Sequence, residues 1–244
     1  MEEKIGQLNQ ISSATDKEKL KELIKSGKVG SVIMASSCFA GSEEGGVAGA
    51  EYFKELQRTA VEESRLGIPI IFGRDVIHGH HTVYPLPLAM ASSFNDELVK
   101  TAYRDIASEA ALDHIHWTFT PMLDLSRDPR WGRCVESPGE DPYLGSRMAA
   151  AMVKGIQGDK LSDESSIAAC AKHFIGYGLS EGGRDYHHTD VSEPSLHNYY
   201  LPAFGAAVKA GVQTVMNSFN EIGGKPVASS RYLLTDVLRG ELGF

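Results

Sequence analysis

The sequence predicts an α/β fold of parallel strand–helix units arranged as a TIM-type (β/α) barrel. Three observations carry this prediction. Strand-like apolar runs alternate with segments of helical period along the whole chain. Polar residues cluster just after the strand candidates at 68–72, 117–120, 168–171 and 212–216, where barrel side chains reach a common mouth. The length, 244 residues, is close to the roughly 250 of a single barrel. A dinucleotide-binding doubly wound sheet is disfavoured, because no Gly-x-Gly-x-x-Gly follows the first strand.

The elements follow in order. Residues 17–26 have a helical pattern that stops at Gly27, and Val29 to Ala35 is a short apolar strand. A loop rich in Gly, Ser and Ala runs from Ser36 to Gly49. Residues 50–66 place Tyr52, Phe53, Leu56, Ala60 and Val61 at helical spacing. Ile68 to Phe72 is a buried strand that delivers Gly73-Arg74-Asp75. Asn95 or Asp96 caps a helix to about Asp113, and His116 to Thr120 is strand-like. Pro121 to Tyr143 is a long irregular stretch, of the kind that usually carries function in a compact domain. A helix over about 144–157 leads into the apolar run 167–170, after which come Lys172-His173-Phe174. A second long loop, Gly176 to Glu193, precedes a helix over about 194–209. A strand at 211–217 and a helix at about 230–241 complete the pattern.

Composition narrows the function classes. A hydrophobic content of 42% is enough for one sizeable core. The net charge is −8 with no basic cluster, so nucleic acid is not an expected partner. Apolar runs are far too short for a membrane span. No signal peptide is visible at Met1-Glu2-Glu3-Lys4, so the compartment is either the cytosol or one reached after processing. Cys38, Cys134 and Cys170 are odd in number and widely spaced, which favours neither a disulfide framework nor a zinc site.

Several residues have the chemistry of a site. Asp75, at a strand end, can accept hydrogen bonds from ligand hydroxyls or close the rim with a salt bridge. Lys172 and His173 are adjacent and would face opposite sides of a straight strand, so both reach one ligand only where the strand ends. Arg130-Trp131-Gly132-Arg133 shares its loop with Asp124, Asp128, Glu136, Glu140 and Asp141. That mix either builds a salt-bridged rigid loop or offers an Arg fork and an aromatic face to a polyhydroxylated ligand. The histidine groups at 78–81, 114–116 and 187–188 do not have metal-site spacing. Gly223-Gly224-Lys225 lacks the first glycine and the Ser/Thr of a phosphate loop. No cofactor or metal is expected.

An ordered set of segments resembles glycoside hydrolase family 3, in its β-glucosidase and β-xylosidase branch. They are Glu2 to Gln7, Gly73-Arg74-Asp75-Val76-Ile77-His78-Gly79, Arg127-Asp128-Pro129-Arg130-Trp131-Gly132-Arg133, Glu136 to Pro142, Lys172-His173-Phe174, Glu181-Gly182-Gly183-Arg184-Asp185-Tyr186, and Leu238 to Phe244. The resemblance covers essentially the whole chain. It implies an exo-acting, retaining hydrolase of β-linked oligosaccharides or aryl and alkyl glycosides, with residues 1–244 as part of its N-terminal barrel domain. It implies that Asp75, Arg133, Lys172 and His173 hold sugar hydroxyls, that Met216 is an apolar wall, and that Arg184 and Asp185 flank the site. The family's nucleophile is an aspartate a few residues after the Leu-Gly-Phe seen here at 242–244, and its acid/base glutamate lies further on. The expectation is therefore a barrel that stops before its last strands, holds no catalytic carboxylate and is inactive by itself.

Ser218-Phe219-Asn220 stands where many members have a tyrosine, and Gly223 where many have asparagine. Three alternatives remain open from the sequence. The chain is a non-catalytic sugar-binding module, or one half of a split enzyme, or a β-N-acetylglucosaminidase in which Asp185-Tyr186-His187 is the acid/base dyad. An unclosed barrel exposes strand edges, which a second copy or a complementing C-terminal fragment would cover.

Overall fold

In a computed structural model, residues 1–34 and 50–244 are described. The Gly-rich loop 36–49, Ala35 and Cys38 lie outside the described residues. The chain begins with helix α1 (Glu2–Gly6) and strand β1 (Gln10–Ser12), followed by α2 (Lys17–Lys25) and β2 (Ser31–Ile33). Helix α3 (Ala50–Arg58) continues through a π-helical turn, Thr59–Glu63, and leads to β3 (Ile71–Arg74). Two helices follow, α4 (Pro87–Ala91) and α5 (Asp96–Leu112), then β4 (Trp117–Thr118), α6 (Pro142–Gln157) and β5 (Cys170–Phe174). A single turn, α7 (Glu193–Ser195), and α8 (Leu201–Lys209) precede β6 (Thr214–Asn217). A hairpin of β7 (Glu221–Ile222) and β8 (Lys225–Pro226) and a π-helical segment, Tyr232–Glu241, close the description.

Strands β1 to β4 form one parallel sheet in chain order, and β5 pairs with β6, also in parallel. Parallel bridges from Trp117 to Ala168 and from Met122 to Lys172 join the two groups. Six short parallel strands therefore stand side by side in sequence order, with a helix between each successive pair. Successive parallel strands need such crossovers, so the alternation in the sequence becomes this order in space. Among the described residues no pairing joins β1 to β6.

The helices begin where side chains can satisfy their free N–H groups. Asp16 accepts from the Lys19 amide (3.0 Å), Asn95 from Leu98 (3.0 Å) and Asp141 from Leu144 (2.6 Å). Pro142 occupies the first turn of α6, where a missing N–H costs nothing. Helix α6 packs between α5 and α8 and buries Met148, Met152, Val153 and Ile156 in the hydrophobic core. At Gly155 the neighbouring helix comes so near that an added Cβ would lie 2.5 Å from the Lys100 carbonyl oxygen. Buried Gln157 ties the helix layer to the strands. Its amide donates to the Gly211 carbonyl (2.9 Å) and its oxygen accepts from Ala169 (3.2 Å) and Gln213 (3.1 Å).

Candidate active site

The C-terminal ends of β3, β4 and β5 bring charged side chains into a protein interior that is otherwise apolar. Lys172, buried in β5, donates to Asp75 Oδ1 at 2.7 Å, just past the end of β3. His173, also buried, donates its backbone N–H and ring Nδ1 to Asp124 Oδ2, at 3.0 and 2.8 Å. Its Nε2 faces Arg133 Nη1 at 3.4 Å. A guanidinium has only donors, so this network leaves Nε2 of His173 as the acceptor and puts the proton on Nδ1. Arg133 also makes a two-pronged pair with Glu136, at 2.7 and 2.9 Å. The sequence places these six groups in three separate segments, and the strand ends make them one cluster.

Lys172 and His173 are neighbours, yet both turn toward this cluster. The reason is a shift of register. Ala171 pairs with Val215 and Phe174 with Asn217, so two residues of β5 stand opposite one residue of β6, Met216. A bulge of this kind re-aims side chains. The peptides Lys172–His173 and Phe174–Ile175 are cis. The pair lies inside β5 and not just beyond it as the sequence led us to expect. Met216, half-buried, lies directly across the bulge.

Asp75, Arg133, Glu136 and Lys172 line a cavity of about 410 Å³, with Leu86 and Val135 as apolar wall. That volume is within the range of small-ligand clefts, roughly 300–1,000 Å³. A larger depression, about 780 Å³, is lined by Phe94, Tyr143 and Arg147. It holds none of the strand-end groups, so the chemistry belongs to the smaller cavity.

The charges in the cavity hold each other. Burial opposes ionisation of Glu136, but the Arg133 hydrogen bonds and charge outweigh it, with help from Lys172 and His173, and its pKa falls below the ordinary value. Burial likewise opposes the Arg133 cation, and Glu136 more than restores it. A carboxyl held ionised in this way is a poor proton donor. Asp75, Asp124 and Glu136 each face a basic group, which suits them to orient donors and acceptors.

Two other residues expected to flank the site are placed differently. Asp185 Oδ1 accepts from Trp131 Nε1 at 3.0 Å and from the Tyr177 hydroxyl. Burial resists its charge, and those two hydrogen bonds still lower its pKa. Asp185 thereby braces the loop to the core beneath. His187 Nδ1 lies 4.0 Å from Glu181, whereas Asp185 Oδ1 accepts from Trp131 and Tyr177. Arg184 is exposed and donates to the Glu181 carbonyl at 3.3 Å.

A second Arg–His–Asp chain lies nearby. Arg74 Nη1 is 3.3 Å from His80 Nδ1, and His80 Nε2 is 2.8 Å from Asp113, which also meets His81. His80, His81 and Asp113 are the one group among the described residues whose ligand atoms lie close enough together for a metal ion. With Arg74 donating to Nδ1, the His80 proton sits on Nε2, the atom a metal would need. Desolvation, and the charges of Arg74 and His81, also lower the His80 pKa despite Asp113.

The sequence reading gave Asp124 and Glu136 only a place in a salt-bridged loop, and passed over Tyr177. Asp124 had a signal: it is the one charge in the run Met122-Leu123-Asp124-Leu125, where an acid is buried only with a partner. Tyr177 had none, since its contacts with His173 (ring centroids 4.9 Å apart) and Trp131 (5.2 Å) are tertiary.

Among known families, the Glycosyl hydrolase family 3 N terminal domain matches residues 1–244 in full. The chain belongs to this family. The family 3 chain is 43% identical over 246 residues to a periplasmic beta-glucosidase of Salmonella typhimurium, covering 100% of itself and 31% of that protein. It is 40% identical over 207 residues to a beta-xylosidase of Formosa agariphila, covering 80% of itself and 29% of that protein. In structure it resembles a beta-glucosidase from Listeria innocua in complex with isofagomine, with a TM-score of 0.88 and 42% identity, over 100% of this chain and 34% of that one. The family 3 chain thus spans about a third of the length of these relatives. The resemblance drawn from the sequence motifs is confirmed at the level of the family, and the α/β fold with it. Among the described residues no helix is long and apolar enough to cross a membrane.

Proposed function

We propose that this chain is the sugar-binding barrel portion of an exo-acting, retaining β-glycosidase of the glucosidase type. The observation that carries the reading is the convergence of Asp75, Arg133 and Lys172 on one cavity, with His173 touching Arg133 behind it. Such a set offers an ammonium, a guanidinium and carboxylate oxygens within one small space. A pyranose presents alternating hydroxyls, each both donor and acceptor, and this set can satisfy them. The six strands in sequence order support a TIM-type barrel, in which the cavity lies at the C-terminal mouth.

The names of the relatives support a β-linked glucoside or xyloside as substrate. Retaining hydrolysis needs two carboxyl groups about 5–5.5 Å apart, one as nucleophile and one as acid and then base. Asp75, Glu136 and Asp124 are already engaged with Lys172, Arg133 and His173. The family resemblance implies that the reacting carboxylates lie in a part of the enzyme outside residues 1–244, and the engagement of these three is consistent with that reading. No metal or cofactor takes part. Within this chain, Lys172, Arg133 and Asp75 position the sugar, Asp124 orients His173, Met216 supplies an apolar contact, and Arg184 and Asp185 belong to the loop beside the site.

Calorimetry with glucose and with an aryl β-glucoside tests this. The chain is expected to bind in the millimolar range, to lose at least tenfold in affinity in Lys172→Ala, and to show no turnover of the aryl glucoside. Sugar binding that Lys172→Ala leaves intact, or hydrolysis by the highly purified chain, would sink the proposal.

A further inference from the structure

One side chain of the cavity wall carries an acceptor that the positioning groups above do not account for. His78, half-buried, lines the cavity together with Asp75, Arg133 and Lys172. Its Nδ1 lies 2.9 Å from the carbonyl oxygen of Tyr84. A carbonyl only accepts, so the neutral ring carries its proton on Nδ1. That leaves Nε2, at the outer end of the ring, as a lone pair, and among the described residues it meets no hydrogen-bond donor. The carboxylates beside it are already engaged. Asp75 Oδ1 takes the Lys172 ammonium at 2.7 Å, and both oxygens of Glu136 take the Arg133 guanidinium. Lys172 and Arg133 themselves only donate. His78 Nε2 adds an acceptor that is neither charged nor taken.

The ring is aimed by its own segment. Residues 78–84 fold back on themselves: the Tyr84 N–H donates to the His78 carbonyl at 2.8 Å, and Gly79 bridges Val83 in antiparallel fashion. Gly79 has a φ of +147°, and a Cβ there would run into the Thr82 carbonyl oxygen, so this turn needs glycine. The outer side of the turn is fixed to α5. Glu109 accepts from the N–H groups of His81 (3.1 Å) and Thr82 (3.0 Å) and from the Thr82 hydroxyl. Just before His78, the hydroxyl of buried Tyr103 donates to the Ile77 carbonyl at 2.8 Å. A side chain held on both flanks is preorganised, and a ligand that meets it loses little to ordering it.

We propose that His78 is a further sugar-contact residue, whose Nε2 accepts a hydrogen bond from one hydroxyl of the bound pyranose. The contact discriminates between sugars. One whose hydroxyl at that place is missing or capped by an alkyl group brings no donor and leaves Nε2 unpaired. The inference rests on reading the cavity as a sugar site.

Ligand-observed NMR titrations of this chain measure the dissociation constants of glucose and of its monodeoxy derivatives. His78→Asn keeps a donor near the place of Nδ1 and has no acceptor near that of Nε2, whereas His78→Gln keeps the acceptor and lacks the donor to Tyr84. His78→Asn is expected to bind glucose about three- to tenfold more weakly, the size of one hydrogen bond, and to melt close to the unaltered chain. His78→Gln melts lower, yet binds glucose more tightly than His78→Asn. One monodeoxy glucose loses that same factor against the unaltered chain and nothing further against His78→Asn. A merely structural role would weaken all the sugars alike. Circular dichroism checks the fold of each variant, and His78→Gln keeps the monodeoxy pattern of the unaltered chain. Glucose binding unchanged in His78→Asn, or monodeoxy losses equal in the two proteins, overturns the contact. Binding that Lys172→Ala abolishes and His78→Asn leaves intact removes the contact and keeps the sugar site. If the unaltered chain binds no glucose, both fall.

Discussion

Removing the carboxylate of Asp124 tests whether His173 is held from below. The Asp124 side chain is 0% exposed and that of His173 2%. Asp124 Oδ2 accepts both the His173 backbone N–H and its Nδ1–H. Alanine would leave two buried donors without an acceptor, each at a cost of roughly 1–3 kcal/mol. Part of this is offset, because a buried carboxylate is itself expensive to desolvate, and Asp124 Oδ1 is buried without a partner. The net loss for Asp124→Ala is expected near 3 kcal/mol. At about 2–4 °C per kcal/mol for a chain of this size, the melting temperature falls by roughly 6–12 °C. Asp124→Asn keeps one acceptor in the same volume, and about half that loss is expected. Urea unfolding at pH 7 and a thermal melt by circular dichroism measure both variants. A loss below about 1 kcal/mol for alanine, or no difference between alanine and asparagine, would refute the reasoning.

Two other expectations follow from buried contacts. The pKa of Glu136 is lower in the folded chain than its ordinary 4.5, so the stability it supplies is present above that value and fades as pH falls through the folded one. The melting temperature of the unaltered chain is therefore expected to drop more steeply below about pH 4.5 than that of Glu136→Gln; parallel curves in melts from pH 7 to 3.5 would contradict this. Gly155→Ala pushes a methyl to 2.5 Å from the Lys100 carbonyl oxygen and 2.9 Å from Tyr103 Cβ, so α5 and α6 must separate. The expected destabilisation is roughly 1–3 kcal/mol by urea unfolding, and a variant as stable as the parent would show that the helices are not packed as described.

The sequence made the order of elements legible because two periods, 2 and 3.6, are written into the apolar residues. The capped start at Asn95 and the helix read over about 144–157 were visible too, while the two residues before it, Pro142 and Tyr143, read as loop. Strand β1 was not: Gln10-Ile11-Ser12 carries one apolar residue, and only its pairing with Ser31 to Ile33 makes it a strand. The strand ends were read two to three residues early at β3 and β5, since Gly73-Arg74 and Lys172-His173 look like loop until neighbouring strands claim their backbone. Of the site, Asp75, Arg133, Lys172 and His173 were legible through motifs and strand-end placement. The pairings Arg133–Glu136 and His173–Asp124 were not, because they depend on where a long loop returns. Asp185 shows the limit most clearly: its sequence context marks the loop, but its two hydrogen bonds point inward to Trp131 and Tyr177.

The extra residue in β5 gives the cavity a dependence on counting as well as on chemistry. Side chains alternate along a strand, so one residue too many reverses the parity of all that follow. Phe174, next after the pair, packs at 5.1 Å against Phe204 in the helix layer, and it can do so while Lys172 and His173 both serve the cavity because of that reversal. Deleting either residue would restore even pairing with Phe174 still opposite Asn217 and against the helices, and the cavity would keep only one of the two polar side chains. The extra residue thus lets one strand lend the cavity two adjacent side chains while the pairing beyond it stays in register.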